Sequence, residues 1–322
     1  MLITLTAPAF ADTWCIENGN ITVKAGDTEG TNKVSQGSII DKVDTDTIIT
    51  NNNKDTPSSN TVTIDAENDK VEVTLDNVNI KAGSGSALTS KGDVTLTLKG
   101  DNHLTGGISD NGSYGLSGIS SSGSLTISGG ETDSLTAQGG SGTDGSGGRG
   151  IFSKDLTISG GTVNVAGGNG GNGSGSDVGN GIYSSDIDLS GSLELTAKAG
   201  SPNGKALSQR GNELDLDDIK DKLGPGAKVT AINANGDSKQ VSIPRPVEPE
   251  EPVIPGDSSS SSGGGSADAS VQESVFPGCR HRQGRPAHLL HEHPERQYPH
   301  RLRRTVHSLL PHLAGRAASA AG

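Results

Sequence analysis

Aromatic side chains are nearly missing from this chain. Phe, Tyr and Trp make up 2% of its 322 residues, and all hydrophobic residues only 30%. A conventional compact domain draws on a much richer apolar set. The two cysteines, Cys15 and Cys279, lie in compositionally unlike segments. No structural disulfide is expected between them, and neither has the paired Cys/His spacing of a zinc site. No run approaches 18 apolar residues, so no membrane-spanning helix is expected. Histidine and arginine are scarce as well: His103 is the one histidine before His281, and Arg149 and Arg210 are the arginines before Arg245.

Glycine is abundant, at 48 residues, and the chain repeats. Val94-Thr-Leu-Thr-Leu98, Leu125-Thr-Ile-Ser-Gly129, Leu156-Thr-Ile-Ser-Gly160 and Ile187-Asp-Leu-Ser-Gly191 stand 31 residues apart. A fixed period of this size marks a solenoid or repeat array. Inside each repeat apolar and polar residues alternate with period 2, as half-buried strands do, which argues against disorder there. Stacked coils cover one another's apolar ladder, so a narrow column of Val, Ile, Leu and Ala suffices as a core. The expected fold is all-β: a single-stranded right-handed parallel β-helix with N- and C-terminal caps, followed by a disordered linker and tail. A propeller blade would need a longer period, and a sandwich would not repeat.

Residues 1–11 read as the remnant of an export signal, with Ala9-Phe10-Ala11 as a small-x-small cleavage pattern behind a short apolar run. The usual basic start is missing. Residues 12–60 are expected to form a cap and first coil, 61–200 the regular coils and 201–243 a C-terminal cap. That cap is read as an amphipathic helix over Leu214–Leu223 and a hairpin around Asn233–Asp237. Pro- and Ser/Gly-rich residues 244–275 read as a linker. Residues 1–275 carry 18 basic and 36 acidic groups, whereas residues 276–322 carry 8 and 2. This basic tail, rich in Arg, His and Pro, reads as DNA translated out of frame. A nucleic-acid or membrane-surface tail and a metal-binding tract at His288, His291 and His293 are the competing readings.

Chemistry-bearing residues are few. Asp144 sits in Gly139–Gly147, which resembles a calcium-binding nonapeptide, as does Gly167–Gly175. Ser146 and Ser174 stand where that motif needs a large apolar residue. Flexible turns using glycine for positive φ are the plainer reading. Asp155 and Asp186 are 31 apart, hence one rung apart; they are expected to cap turn amides, with a calcium site as the alternative. Phe152 and Tyr183 are also 31 apart, each after an inward Ile, so both should point outward. They could offer a platform for sugar faces or form a stacked rung that only stabilises the coil. Tyr114 is the third aromatic of the middle region. Neither a facing carboxylate pair for glycoside hydrolysis nor a helix-opening nucleotide-binding glycine motif is found.

Val71-Glu-Val-Thr-Leu-Asp-Asn-Val-Asn-Ile80, Val94-Thr-Leu-Thr-Leu-Lys-Gly-Asp-Asn-His-Leu104 and Ser124-Leu-Thr-Ile-Ser-Gly-Gly130, with the opening Ala11-Asp-Thr-Trp14 and Asn18–Val23, resemble a family. They are similar to bacterial secreted carbohydrate-binding, adhesin-like parallel β-helix proteins, over about residues 12–200. The resemblance implies polysaccharide binding and, in some members, bound calcium; it carries over no particular ligand residue. The expected function is a secreted or cell-surface polysaccharide-binding protein without catalysis. It is expected to be monomeric, to bind a polysaccharide or cell-surface glycan, and to have no nucleic-acid partner. A cation-assisted polysaccharide lyase or hydrolase and a structural surface stalk are the alternatives.

Overall fold

The computed structural model describes residues 11–171 and 179–246. The chain divides into two units, Met1–Arg280 and His281–Gly322, and every described residue belongs to the first. Residues 1–10, most of the Pro/Ser/Gly linker and the whole basic tail with its histidines lie outside the described residues, as do residues 172–178, which include the end of the second glycine-rich segment.

The protein is mostly β, with 20 strands and two 3-10 helices among the described residues. The strands form a 13-stranded and a 7-stranded sheet. Through the middle of each sheet the pairing is parallel, and in the larger sheet the register from Val94 to Ile187 is the 31-residue sequence period. Val94 faces Leu125, Leu125 faces Leu156, and Leu156 faces Ile187. These four are at most 3% exposed and stack in one apolar column with Val71. Two residues on, Val73, Leu96, Ile127, Ile158 and Leu189 form a second column. In the smaller sheet Leu135, Val163, Leu195 and Val229 do the same. Strand alternation sends each of these side chains to one face and its neighbours to the other. Because each aliphatic rests on its counterpart, few aromatics are needed.

One residue of slack is visible in the ladder. Leu88 and Ile119 pair at a separation of 31, Ile119 and Ile151 at 32. The extra residue falls between Ser120 and Ser124, a stretch that contains Gly123, whose missing Cβ would stand 2.1 Å from the Gly92 carbonyl oxygen; Gly92 itself has φ +81°. Only glycine fits either place.

Antiparallel strand pairs occur at the sheet ends. At one end Ile21–Ala25, Asn32–Gln36 and Ile39–Asp44 form a meander. Its last strand leaves Ile39, Ile40 and Val43 exposed. A bulge opposite Val34–Gln36, positive φ at Asp41 and the charges of Asp41 and Lys42 blunt this edge. At the other end Lys228–Ile232 pairs with Ser238–Ser242. In place of the amphipathic helix expected over Leu214–Leu223 there is a 3-10 helix, Leu216–Lys222. Its buried residues, Leu216 and Ile219, are three apart, which suits three residues per turn. The Asp215 carboxylate accepts the Asp217 amide at its start (3.1 Å).

Two expectations are corrected. Cys15 is 3% exposed and disulfide-bonded; its partner sulfur lies outside the described residues. Segment composition says nothing about which segments meet in space. The glycine-rich segments, in turn, are not loose turns. Gly106, Gly107, Gly139, Gly140, Gly147, Gly148, Gly167 and Gly168 all lack positive φ. Their backbones lie against one another and hydrogen-bond layer to layer: Leu116 N to Gly107 O (2.9 Å), Gly140 N to Leu116 O (2.8 Å), Gly148 N to Gly140 O (2.7 Å) and Gly168 N to Gly148 O (2.8 Å). Glycine is required there for close approach.

Candidate functional site

Ile151–Ile158 and Ile182–Leu189 pair in parallel and place Phe152 opposite Tyr183. Ile151 and Ile182 are fully buried, so the rings project from the other face and are half-buried. They continue an outward rank of Thr63, Thr89 and Ser120. The two rings stack on each other, with centroids 5.8 Å apart and planes inclined by 29°. The Arg149 guanidinium carbon lies over both, 5.2 Å from the Phe152 centroid and 4.8 Å from that of Tyr183. The Arg149 carbonyl accepts the Gly118 amide (3.1 Å), which fixes its backbone beside the sheet. Such a guanidinium–ring contact contributes about 0.5–1 kcal/mol at an exposed site. The site therefore presents stacked rings with a cation across them, and a ligand would meet ring edges and guanidinium together.

Tyr114 stands apart from this pair. It lies on the turn closed by Ser109 N to Tyr114 O (2.7 Å), is 51% exposed, and rests its ring on Gly145.

The three candidate calcium carboxylates do not meet in one place. Asp144 is exposed on a glycine-rich segment. Asp155 and Asp186 are register partners within continuous strands, so turn amides are out of their reach. Asp155 accepts the Ser124 hydroxyl (3.4 Å) with Lys154 Nζ at 3.9 Å, and Asp186 accepts Gln209 Nε2 (3.2 Å). Turn amides are capped by Asp133 instead, which accepts Gly100 N (2.9 Å) and Gly130 N (2.8 Å). Among the described residues no three His, Cys, Asp or Glu side chains gather as a metal-binding group. A cleft of about 490 Å³ beside the N-terminal meander is lined by Glu29, Asp46, Asp69, Lys70 and Glu72, and includes none of the six predicted residues.

Sequence reasoning missed two arrangements. Ser90, Ser121, Ser153 and Ser184 form a buried inward rank beside the rings. Ser153 Oγ donates to the Asp155 carbonyl (2.7 Å), and Ser184 Oγ to that of Asp186 (2.6 Å). Their 31- to 32-residue spacing was the available signal. In the smaller sheet Asp101 accepts the Ser134 hydroxyl and lies 3.0 Å from His103 Nε2. The Ser134 hydrogen bond holds the Asp101 carboxyl below its ordinary range; partial burial opposes it, and His103 and Lys54 add smaller lowering effects.

Comparison with protein-family models, with curated proteins and with solved structures returns no match.

Proposed function

We propose that residues 12–243 wind as a parallel β-solenoid and that the protein is exported and binds polysaccharide without catalysis, as an adhesin-like surface protein. The solenoid reading is supported by the parallel register at the sequence period in the larger sheet. The binding reading rests on one observation: Phe152 and Tyr183 stacked under Arg149 on a rank that continues through hydroxyl side chains. Aromatic edges beside hydroxyl donors and acceptors suit a polymer of sugar rings, whose C–H faces are apolar and whose rims are polar.

The test is a glycan array and polysaccharide pull-down with the full chain, in calcium and in chelator. Retention on at least one polysaccharide is expected. Phe152→Ala and Tyr183→Ala should each weaken it roughly two- to tenfold, as the loss of about 0.5–1.5 kcal/mol of aromatic contact predicts. No retention on any polymer would overturn the reading, and depolymerisation of a retained polymer would replace it with the enzyme.

A further inference from the structure

Asp12, the residue after the small-x-small pattern, is held by both its backbone and its side chain. Its carbonyl accepts the Ile48 amide (3.2 Å), and its carboxylate pairs with Lys42 Nζ (2.5 Å). Its main-chain nitrogen donates to Asp44 Oδ1 (3.2 Å). Asp44 is fully buried. Among the described residues the donors that reach its oxygens are neutral: the Asp12 and Asp46 amides and the indole Nε1 of Trp14 (2.8 Å). A buried carboxylate held by neutral donors alone is an expensive arrangement, and a cation at the same distance would relieve it. Ala11, by contrast, is exposed.

We propose that hydrolysis of the Ala11–Asp12 peptide bond matures this chain, and that the α-ammonium so released on Asp12 forms an ion pair with the buried Asp44. The inference rests on the export reading of residues 1–11. A peptidase that cleaves after small residues adds water across the bond. The hydroxyl goes to the Ala11 carboxyl and the hydrogen to the Asp12 nitrogen, which takes up a further proton at neutral pH. Asp12 N already occupies the position the ammonium needs, so the pair forms without moving the chain. Among the described residues the charged groups nearest it include Asp44, the Asp12 carboxylate paired with Lys42, and Asp46, whose amide meets the same Asp44 oxygen. The carboxylate in direct contact with the ammonium is that of Asp44. It holds the ammonium protonated above the ordinary range of an α-amine. Processing would thereby turn a neutral amide contact into a charge pair that pins the strand carrying Trp14 and Cys15.

Three measurements test this. Mass spectrometry of exported protein should find Asp12 as the first residue. Full chains released from a cleavable fusion so as to begin at Ala11 or at Asp12 are then compared by amine acylation and by thermal midpoint. The Asp12 amine should react about tenfold or more slowly than the Ala11 amine, since each unit of pKa elevation removes about nine-tenths of the reactive free base. The Asp12 chain should also melt higher, and Asp44→Asn should abolish that difference. The Ala11 chain keeps Asp44, so the comparison survives if Asp44→Asn fails to fold. Equal reactivity of the two amines overturns the ion pair, and a mature terminus other than Asp12 overturns the cleavage site. Retention of the whole chain inside the cell overturns the export reading instead.

Discussion

Replacing Gly140 by alanine should be among the most damaging single-methyl additions available in this protein. A Cβ at Gly140 would stand 1.9 Å from the Gly107 carbonyl oxygen, 2.9 Å from the Gly107 carbonyl carbon and 3.0 Å from the Gly106 oxygen, all backbone atoms that cannot rotate away. Real Cβ contacts essentially never fall below 3.0 Å, so the layers must part by more than about 1 Å. The hydrogen bonds Leu116 N to Gly107 O and Gly140 N to Leu116 O link the two sides of that gap. Overpacking costs about 1–3 kcal/mol, and a buried amide or carbonyl left without a partner about 1–3 kcal/mol more. The expected total is about 2–6 kcal/mol, or about 4–24 °C in thermal midpoint for a domain of this size. Gly168→Ala, whose Cβ would meet the Gly140 oxygen at 1.9 Å, should match it.

Gly112→Ala is the control. Nothing lies within 4 Å of its Cβ, but its φ is +73°. It should cost only the left-handed backbone penalty, about 1–2 kcal/mol. Calorimetric melts of the full chain, with amide exchange of Gly106–Ser117, distinguish the two effects. If Gly140→Ala melts no lower than Gly112→Ala, the glycines serve conformational freedom after all and the packed layers are refuted.

Leu156→Ala should cost about 2–5 kcal/mol in a denaturant titration, because Leu125 and Ile187 on either side cannot collapse into the gap without leaving register. Ser153→Ala should destabilise by about 1–2 kcal/mol, whereas Ser90→Ala, whose hydroxyl is buried without a partner, should be neutral or stabilising by the same assay. Ser134→Ala should raise the Asp101 carboxyl toward its ordinary value in an NMR titration. The sign follows from the depression: in the parent protein Asp101 contributes stability above the ordinary carboxylate value, and this is lost as pH falls through the lower folded value. The variant should lose less on acidification.

The larger sheet was legible because its strands are continuous and its apolar columns obey a fixed interval. Leu125, Leu156 and Ile187 could be paired from spacing alone, and so could Phe152 with Tyr183. The Arg149 position was not legible, because it leaves the end of a glycine segment and no periodicity governs it. Cys15 was misjudged because a disulfide depends on distance, which composition does not carry. The glycine layers were misread for a related reason. Close approach and positive φ both select glycine, and a sequence cannot tell which is at work.

The smaller sheet explains why only one period shows. Its register pairs stand at 33 (Asn102 to Leu135), 28 (Leu135 to Val163), 32 (Val163 to Leu195) and 34 (Leu195 to Val229). These intervals vary, whereas the larger sheet holds at 31 from Val94 through Leu125 and Leu156 to Ile187, so connecting segments must absorb the difference. Length can change there at little cost, whereas a one-residue slip inside a strand would turn every inward side chain outward. Arg149 emerges from such a segment, and Gly150 joins it to the strand that carries Phe152. Gly181 likewise precedes the strand, Ile182–Leu189, that carries Tyr183. The aromatic pair thus takes its position from the invariant ladder and its charged neighbour from the variable connection. Substitutions in that connection can alter what the site recognises while the stacked columns beneath it stay in register.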